Sequence, residues 1–209
     1  MRPRYDAAAA VEHLRQSDAR LGQLIDTCGP FELTLHRTGD LFASLLRSIV
    51  YQQLHGKAAG KIHERVLALV GGTASPDALQ RESDDGLRAA GLSAAKIKAI
   101  RDLAAKTQSG IVPTLAIARR MEDDDLIDRL TQVRGIGPWT VHMLLLFRLG
   151  RPDVMPTGDF AIRLAYGRHF LRGRDPTPAQ ILKRAERWRP WRSVASWYLW
   201  RSLDPNGGT

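Results

Sequence analysis

One cysteine, Cys28, is all that the 209 residues contain. A disulfide framework, a four-cysteine iron–sulfur cluster and a zinc ribbon are therefore all excluded. Cys28 itself is expected to be a small buried hydrophobe. Long apolar runs are missing too: no stretch approaches the roughly 18 uncharged apolar residues a membrane span needs. The opening Met1-Arg2-Pro3-Arg4-Tyr5-Asp6 leads into an alanine run without the apolar centre or cleavage site of an export signal. A cytoplasmic protein with no membrane partner is expected. No His/Cys/Asp/Glu spacing suits a transition metal, and His142 and His169 stand isolated, so both read as structural. Strand-type alternation is nearly absent. Phe31-Glu32-Leu33-Thr34-Leu35-His36 is the one convincing period-2 run, and it reads as a strand or an extended connector.

Acidic residues are also under-represented. Lys and Arg number 31 against 22 Asp and Glu, a formal net charge of +9. The excess is uneven: from Phe160 onward there are ten Lys and Arg and three Asp and Glu. Such a basic segment points either to a polyanionic partner or to a merely soluble basic surface.

What the chain does have is helical periodicity. Leu41, Phe42, Leu45, Leu46, Ile49 and Val50 recur at helical spacing behind Asp40 as N-cap. Ala58, Ile62, Val66 and Leu69 form a second stripe, closed by Gly71-Gly72. Ser75-Pro76 starts a helix, Gly91 ends a short one, and Ser93 caps the next, with Ile97, Ile100, Leu103 and Ala104 inward. Asp123-Asp124-Asp125 opens a helix bearing Leu126, Ile127, Leu130 and Val133, where acids complement the helix dipole. Thr177-Pro178 and Arg189-Pro190 look like two further helix starts. Trp188, Trp191, Trp197 and Trp200 are spaced to lie partly along one helix face, mostly as core. The expectation is an all-α protein of about ten helices with short loops.

The most informative stretch is Leu130-Thr131-Gln132-Val133-Arg134-Gly135-Ile136-Gly137-Pro138-Trp139-Thr140-Val141. A helix ends, two glycines flank one apolar residue, and a second helix runs on through Met143, Leu144, Leu145, Phe147 and Leu149. Gly135 and Gly137 permit positive φ and close backbone approach. Ile136 is expected to anchor the turn in the core. Amides at the start of the following helix would face outward at the positive dipole end, which suits a phosphate. Arg134, Gly135, Ile136 and Gly137 are thus candidate phosphate contacts of a hairpin that grips DNA without reading its sequence. A plain helix–helix turn is the other reading.

This hairpin, followed by Pro156-Thr157-Gly158-Asp159-Phe160, resembles the helix-hairpin-helix (HhH-GPD) superfamily of DNA glycosylases. Within it the chain is most similar to the 3-methyladenine DNA glycosylase II group. The likeness runs from about Leu41 to Leu203. It takes in Tyr51-Gln52-Gln53-Leu54-His55, Ala90-Gly91-Leu92-Ser93-Ala94-Ala95-Lys96 and Pro178-Ala179-Gln180 through Trp188-Arg189-Pro190-Trp191-Arg192-Ser193. The larger members carry an extra N-terminal α/β domain for which this chain lacks the length.

The resemblance implies two helical lobes with the active site in the cleft between them. Residues 40–155 would form the central lobe with the hairpin. Residues 1–39 would pack with the lobe of residues 156–209, which carries the catalytic aspartate. Asp159 stands at the family's catalytic position and at a helix start, so it can N-cap a helix and serve chemistry at once. The reaction would be hydrolysis of the N-glycosidic bond of an extruded base, where a fixed carboxylate stabilises an oxocarbenium-like sugar. Strand-nicking relatives place lysine where Trp139 stands, so the resemblance implies base excision only. Trp139 would line the base pocket or simply pack in the core. Trp200 would stack on an electron-poor base, and Met143 and Arg201 replace two usual pocket aromatics, which opens the range toward etheno-adducts or 1-methyladenine beside 3-methyladenine and 7-methylguanine. Gln53 or Leu54 would fill the hole left in the duplex, with His55 in the minor groove.

The resemblance also implies that carbonyls of Thr131, Val133 and Ile136 hold a monovalent Na+ or K+ ion, with no other cofactor. The partner would be double-stranded DNA with alkylated bases, met by a monomer at a bacterial-type nucleoid. Two rivals are a glycosylase/lyase and a non-enzymatic helix-hairpin-helix protein that binds damaged DNA.

Overall fold

A computed structural model describes residue 3 and residues 5–36 and 39–203. Thirteen α-helices lie among the described residues, with no strand. In chain order they are α1 (Ala7–Ser17), α2 (Ala19–Cys28), α3 (Leu41–Tyr51), α4 (Gly56–Leu69), α5 (Pro76–Arg81), α6 (Asp84–Ala89) and α7 (Ala94–Gln108). They continue as α8 (Leu115–Ala118), α9 (Asp123–Leu130), α10 (Pro138–Leu144), α11 (Phe160–Phe170), α12 (Pro178–Ala185) and α13 (Arg192–Arg201). A π-helical turn, Leu145–Leu149, extends α10, and a 3-10 turn, Glu186–Trp188, extends α12. None of these helices is long and apolar enough to cross a membrane. The count exceeds the expected ten by α1, α2 and α8, of which α8 is a single turn, too short to show a period, and α1 opens in alanines that blur one.

The chain divides into two compact units, one of residues 1–37 and 142–209 and the other of residues 38–141. The expected second break lies after residue 155. In the structure residues 142–155 group with the terminal segments, because α13 stitches the loop before Asp159 in place. The Ser193 hydroxyl donates to Arg151 O (2.6 Å) and accepts from Val154 N–H (2.9 Å). The Ser193 amide donates to Pro152 O (3.0 Å) and the Ser196 hydroxyl to Val154 O (3.1 Å). The Arg192 guanidinium grips the Asp153 carboxylate through Nε and Nη2 (2.7 and 3.0 Å).

In the unit 38–141, α7 is the central helix, packed against α3, α5 and α6. Its inward Ile97, Ile100, Leu103 and Ala104 are buried as their spacing predicts, and so is the whole α3 stripe. The α4 stripe is narrower than expected. Val66 and Ala59 are buried, whereas Ala58 and Leu69 are exposed at its margins. Asp40, Ser75 and Ser93 each cap as anticipated.

In the other unit, α1, α2, α11, α12 and α13 enclose a core centred on Trp188, Tyr198, Leu14, Leu21, Ile25 and Phe170. The tryptophans do not share one helix face. Trp188 ends the 3-10 turn, Trp191 N-caps α13, and only Trp197 and Trp200 lie within that helix. Arg189-Pro190 forms a turn, joined by a cis peptide bond, and the helix expected there begins at Arg192. Thr177 does start α12, with a capping box to Gln180. Residues 31–36 are an extended connector rather than a strand. Leu33 and Leu35 are buried, Glu32, Thr34 and His36 are exposed, and the His36 amide bonds Phe147 O (2.8 Å). Cys28 is only half-buried; burial raises its thiol pKa, against the positive charge of Arg201.

The basic surplus after residue 160 is partly structural. Arg163, Arg184, Arg189 and Arg192 pair with Asp175, Asp18, Asp153 and Asp153. Asp204, counted among the acids there, lies outside the described residues. The Asp18–Arg184 pair is the most buried of these. The Asp18 carboxylate accepts from Arg184 Nε and Nη2 (both 2.7 Å) and from Trp188 Nε1 (3.0 Å), and it N-caps α2. Burial alone would raise its pKa, but these donors outweigh burial and hold it below the ordinary carboxylate value. Replacing Asp18 by Asn leaves Arg184 without its counter-charge, and the expected loss is about 3 kcal/mol in denaturant unfolding at neutral pH. Because the folded-state pKa is depressed, this contribution is complete above the unfolded carboxylate pKa of about 4 and fades as pH falls below it. The gap between wild type and Asp18→Asn should therefore narrow below about pH 4.

Candidate functional site

Asp159 ends a loop of Pro156, Thr157 and Gly158 and N-caps α11. Its Oδ1 accepts from the Ile162 amide (2.9 Å) and from the indole Nε1 of Trp200 (3.0 Å). Backbone bonds Thr157 N–H to Met155 O and Asp159 N–H to Pro156 O (both 2.9 Å) tighten the turn before it. The residue is 9% exposed, so the carboxylate is presented from a largely desolvated position. Two donors on one oxygen fix its rotamer. The loop is anchored to the first turns of α13 and its carboxylate to the last, so a single helix sets both. That is the preorganisation an electrostatic catalyst requires.

Three features here were not read from the sequence. Trp200 has a second role beside the expected stacking, as a hydrogen-bond donor to Asp159. Phe147 packs against its ring at 5.6 Å between centroids and 33° between planes. Phe147 lies in the π-helical turn, where the sequence suggested a continuous α-helix; the turn closes at Gly150, whose φ of 68° and backbone N–H to Leu145 O end it. Phe160, directly after Asp159, is 77% exposed. The sequence offers only that an aromatic directly follows Asp159; its exposure is visible only in the fold. Met143 and Arg201 are both half-buried. Arg201 lies at the end of α13, where its charge acts on the Cys28 thiol.

The hairpin belongs to the other unit. Ile136 is buried, as an anchor should be, and Val133 with it. Only Gly135 takes a positive φ (79°), and a Cβ there would meet Ala99 Cβ at 3.4 Å. Gly137 was expected to share that freedom, but its φ is not positive; a Cβ added there would project into open space. The four candidate phosphate contacts also separate. The Arg134 amide donates to Asp102 Oδ2 on α7 (2.6 Å) and the Ile136 amide to Val133 O within the turn (3.0 Å), so both are already paired. The amides of Gly135 and Gly137 have no partner among the described residues and are the ones left for an anion. The Arg134 side chain is exposed. Asp102 also accepts from Lys106 Nζ (2.8 Å), which donates in turn to Gln132 O. Burial works against the Asp102 charge, but the Arg134 amide and Lys106 outweigh it and hold its pKa below the ordinary value.

Gln53, Leu54 and His55 project together at the turn between α3 and α4. All three are exposed, Leu54 at 39%. His55 N-caps α4 through its backbone, with no side-chain hydrogen bond to the cap. The Gln52 side-chain amide donates to Gly135 O (2.7 Å), so this turn and the hairpin are directly linked. Trp139, second in α10, is 48% exposed, which is too open for a core residue.

Comparison with known proteins gives this geometry a context. The family model described as "HhH-GPD superfamily base excision DNA repair protein" matches residues 46–190. Over 163 residues, 77% of this chain and 72% of the relative, the sequence is 40% identical to DNA-3-methyladenine glycosylase 1 of Schizosaccharomyces pombe. A solved structure of 3-methyladenine DNA glycosylase from the same yeast, in complex with abasic DNA, matches with a TM-score of 0.80 and 37% identity over 92% of this chain and 95% of that one. A DNA-3-methyladenine glycosidase structure from Bacillus halodurans matches with a TM-score of 0.86 and 35% identity over 93% and 89%.

The Trp200 donor can be separated from its ring. Trp200→Phe keeps an aromatic face and removes the N–H to Asp159. Single-turnover base release is expected to slow about tenfold, the worth of one hydrogen bond to a charged group, while DNA affinity changes little. A drop in affinity with an unchanged rate would assign Trp200 to stacking alone.

Proposed function

The chain belongs to the HhH-GPD superfamily of base excision DNA repair proteins, and from that premise we propose that it is a monofunctional DNA glycosylase for alkylated bases in duplex DNA. The observation that carries this reading is Asp159, a carboxylate locked by a helix amide and an indole N–H at the start of α11. Such a group suits a reaction that needs one fixed negative charge.

The chemistry follows from that charge. As the bond between C1′ and the base nitrogen lengthens, positive charge grows on the sugar, and Asp159 stabilises it electrostatically. A water oxygen then bonds to C1′, its proton passing to the Asp159 carboxylate and on to solvent. A base methylated at a ring nitrogen is cationic. It takes the bonding electrons and leaves neutral, so no general acid is needed. The products are the free base and an abasic site. Trp139 has no nucleophilic nitrogen, so no Schiff base forms with the sugar and the strand stays intact.

Recognition is assigned by chemistry as well. Trp139, Trp200 and Met143 would each offer soft or aromatic surface to a cationic base, and Arg201 is proposed as a fourth pocket residue. 3-Methyladenine and 7-methylguanine are the expected substrates, and etheno-adenine or 1-methyladenine would enter through the space left by the missing aromatics. Gln53 or Leu54 would take the place of the extruded base, with His55 in the minor groove. Gly135 and Gly137 would hold a phosphate, with Arg134 adding charge.

A monovalent cation fits the hairpin. The carbonyls of Thr131 and Ile136 accept no hydrogen bond from a described residue, and Val133 O uses only one of its two lone pairs. Neutral oxygens of this kind suit Na+ or K+, whose charge would strengthen phosphate binding. We assign the protein as a monomer acting at the nucleoid of a bacterial-type cell.

The test is direct: incubate the protein with methylated duplex DNA and identify every base released. Free 3-methyladenine and 7-methylguanine with an intact abasic strand are expected. A borohydride-trapped covalent adduct would make it a lyase, and binding without any release would make it a non-enzymatic recogniser of damaged DNA.

A further inference from the structure

The turn after α3 has a conformation its sequence does not favour. Gln52, with φ −55° and ψ 133°, and Gln53, with φ 57°, follow the course of a type II turn closed by the Leu54 amide on Tyr51 O (3.3 Å). The second central position of such a turn favours glycine, and glutamine there is strained. A strained non-glycine residue persists only where its surroundings over-determine it.

Two side chains do so. Lys96, the third residue of α7, donates through Nζ to Val50 O (2.7 Å) and to Gln52 O (2.9 Å). Val50 O is one of the carbonyls that α3 leaves without an intrahelical partner, and a cation at a helix C-terminus is favoured by the dipole. Lys96 is half-buried, and that burial lowers its pKa. Its ammonium is thus partly withdrawn from water where it meets these two carbonyls. From the other side, the Gln52 side chain reaches Gly135 O (2.7 Å). The turn is therefore braced both to the scaffold helix and to the hairpin that the phosphates would meet.

We propose that Lys96 and Gln52 are positioning residues for base extrusion: they lock the 52–55 turn in its strained form, so that Gln53, Leu54 and His55 meet the duplex already shaped and in fixed register with the hairpin. Neither residue touches the reacting bond. Their contribution is to opening the base pair, and this inference rests on the glycosylase reading above. A loose turn would have to be ordered at the moment of insertion, which lowers the yield of extruded base.

The experiment compares two substrates. One carries the alkylated base paired in a duplex; the other carries it unpaired in a single-nucleotide bulge, where extrusion demands less. Lys96→Met keeps the length of the side chain and loses both hydrogen bonds. Its single-turnover rate should fall about tenfold or more on the paired substrate and much less on the bulge. Lys96→Arg, which keeps the charge and donors, should recover most of the loss. Amide hydrogen exchange supplies a second readout that needs no catalysis. In Lys96→Met, exchange across residues 52–56 should accelerate while the interior of α7 stays protected.

Equal losses on both substrates, or unchanged exchange at 52–56, would overturn the proposal. If wild type released no base from either substrate, the glycosylase reading would fall, and the exchange data would still decide whether Lys96 locks the turn.

Discussion

Two hydrogen bonds converge on Oδ1 of Asp159, one from the Ile162 amide and one from the Trp200 indole, and the site depends on them. A carboxylate in a largely buried position loses hydration that only fixed donors can replace. Here the donors come from the helix the residue caps and from α13. The same α13 holds the preceding loop through Arg192, Ser193 and Ser196. Functional geometry and local stability are therefore one arrangement: what fixes the charge also satisfies buried polar groups of the backbone.

The unit of residues 38–141 obeys the same logic at a different helix. Side chains of α7 attend to helix and turn ends that would otherwise have open valences. Lys96 serves the end of α3, Asp102 the Arg134 amide, and Lys106 the Gln132 carbonyl. The two elements proposed to meet DNA, the 52–55 turn and the hairpin, are thus surface loops with rigid supports. Once those internal bonds are counted, the amides of Gly135 and Gly137 remain, which narrows the hairpin's proposed anion contacts to two groups.

Much of this was legible in the sequence, for physical reasons. Helices with a full apolar stripe, such as α3 and α7, declared themselves, and so did caps with a hydroxyl or carboxylate at the right offset. Gly135-Ile136-Gly137 and Pro156-Thr157-Gly158-Asp159 pointed to the superfamily that the comparisons support. Illegible were features that depend on contacts far apart in the chain. Trp200 lies 41 residues from Asp159, and no local pattern says that its indole N–H will find that carboxylate. Lys96 looked like any helical lysine until its ammonium was placed on two carbonyls. The π-helical turn at 145–149 and the non-positive φ of Gly137 are backbone choices that apolar periodicity does not encode. The tryptophan spacing misled because a 3-10 turn and the turn after it interrupt what would have been one helix.

The most direct measurement of the central claim is base release by Asp159→Asn set beside its affinity for the same methylated duplex. Asparagine preserves the size of the side chain and can still cap α11, but carries no charge. Base release slowed by about a thousandfold or more, with binding retained, is the result that fits a fixed carboxylate stabilising the sugar cation. Release at the wild-type rate would contradict it and would move the chemistry away from residue 159.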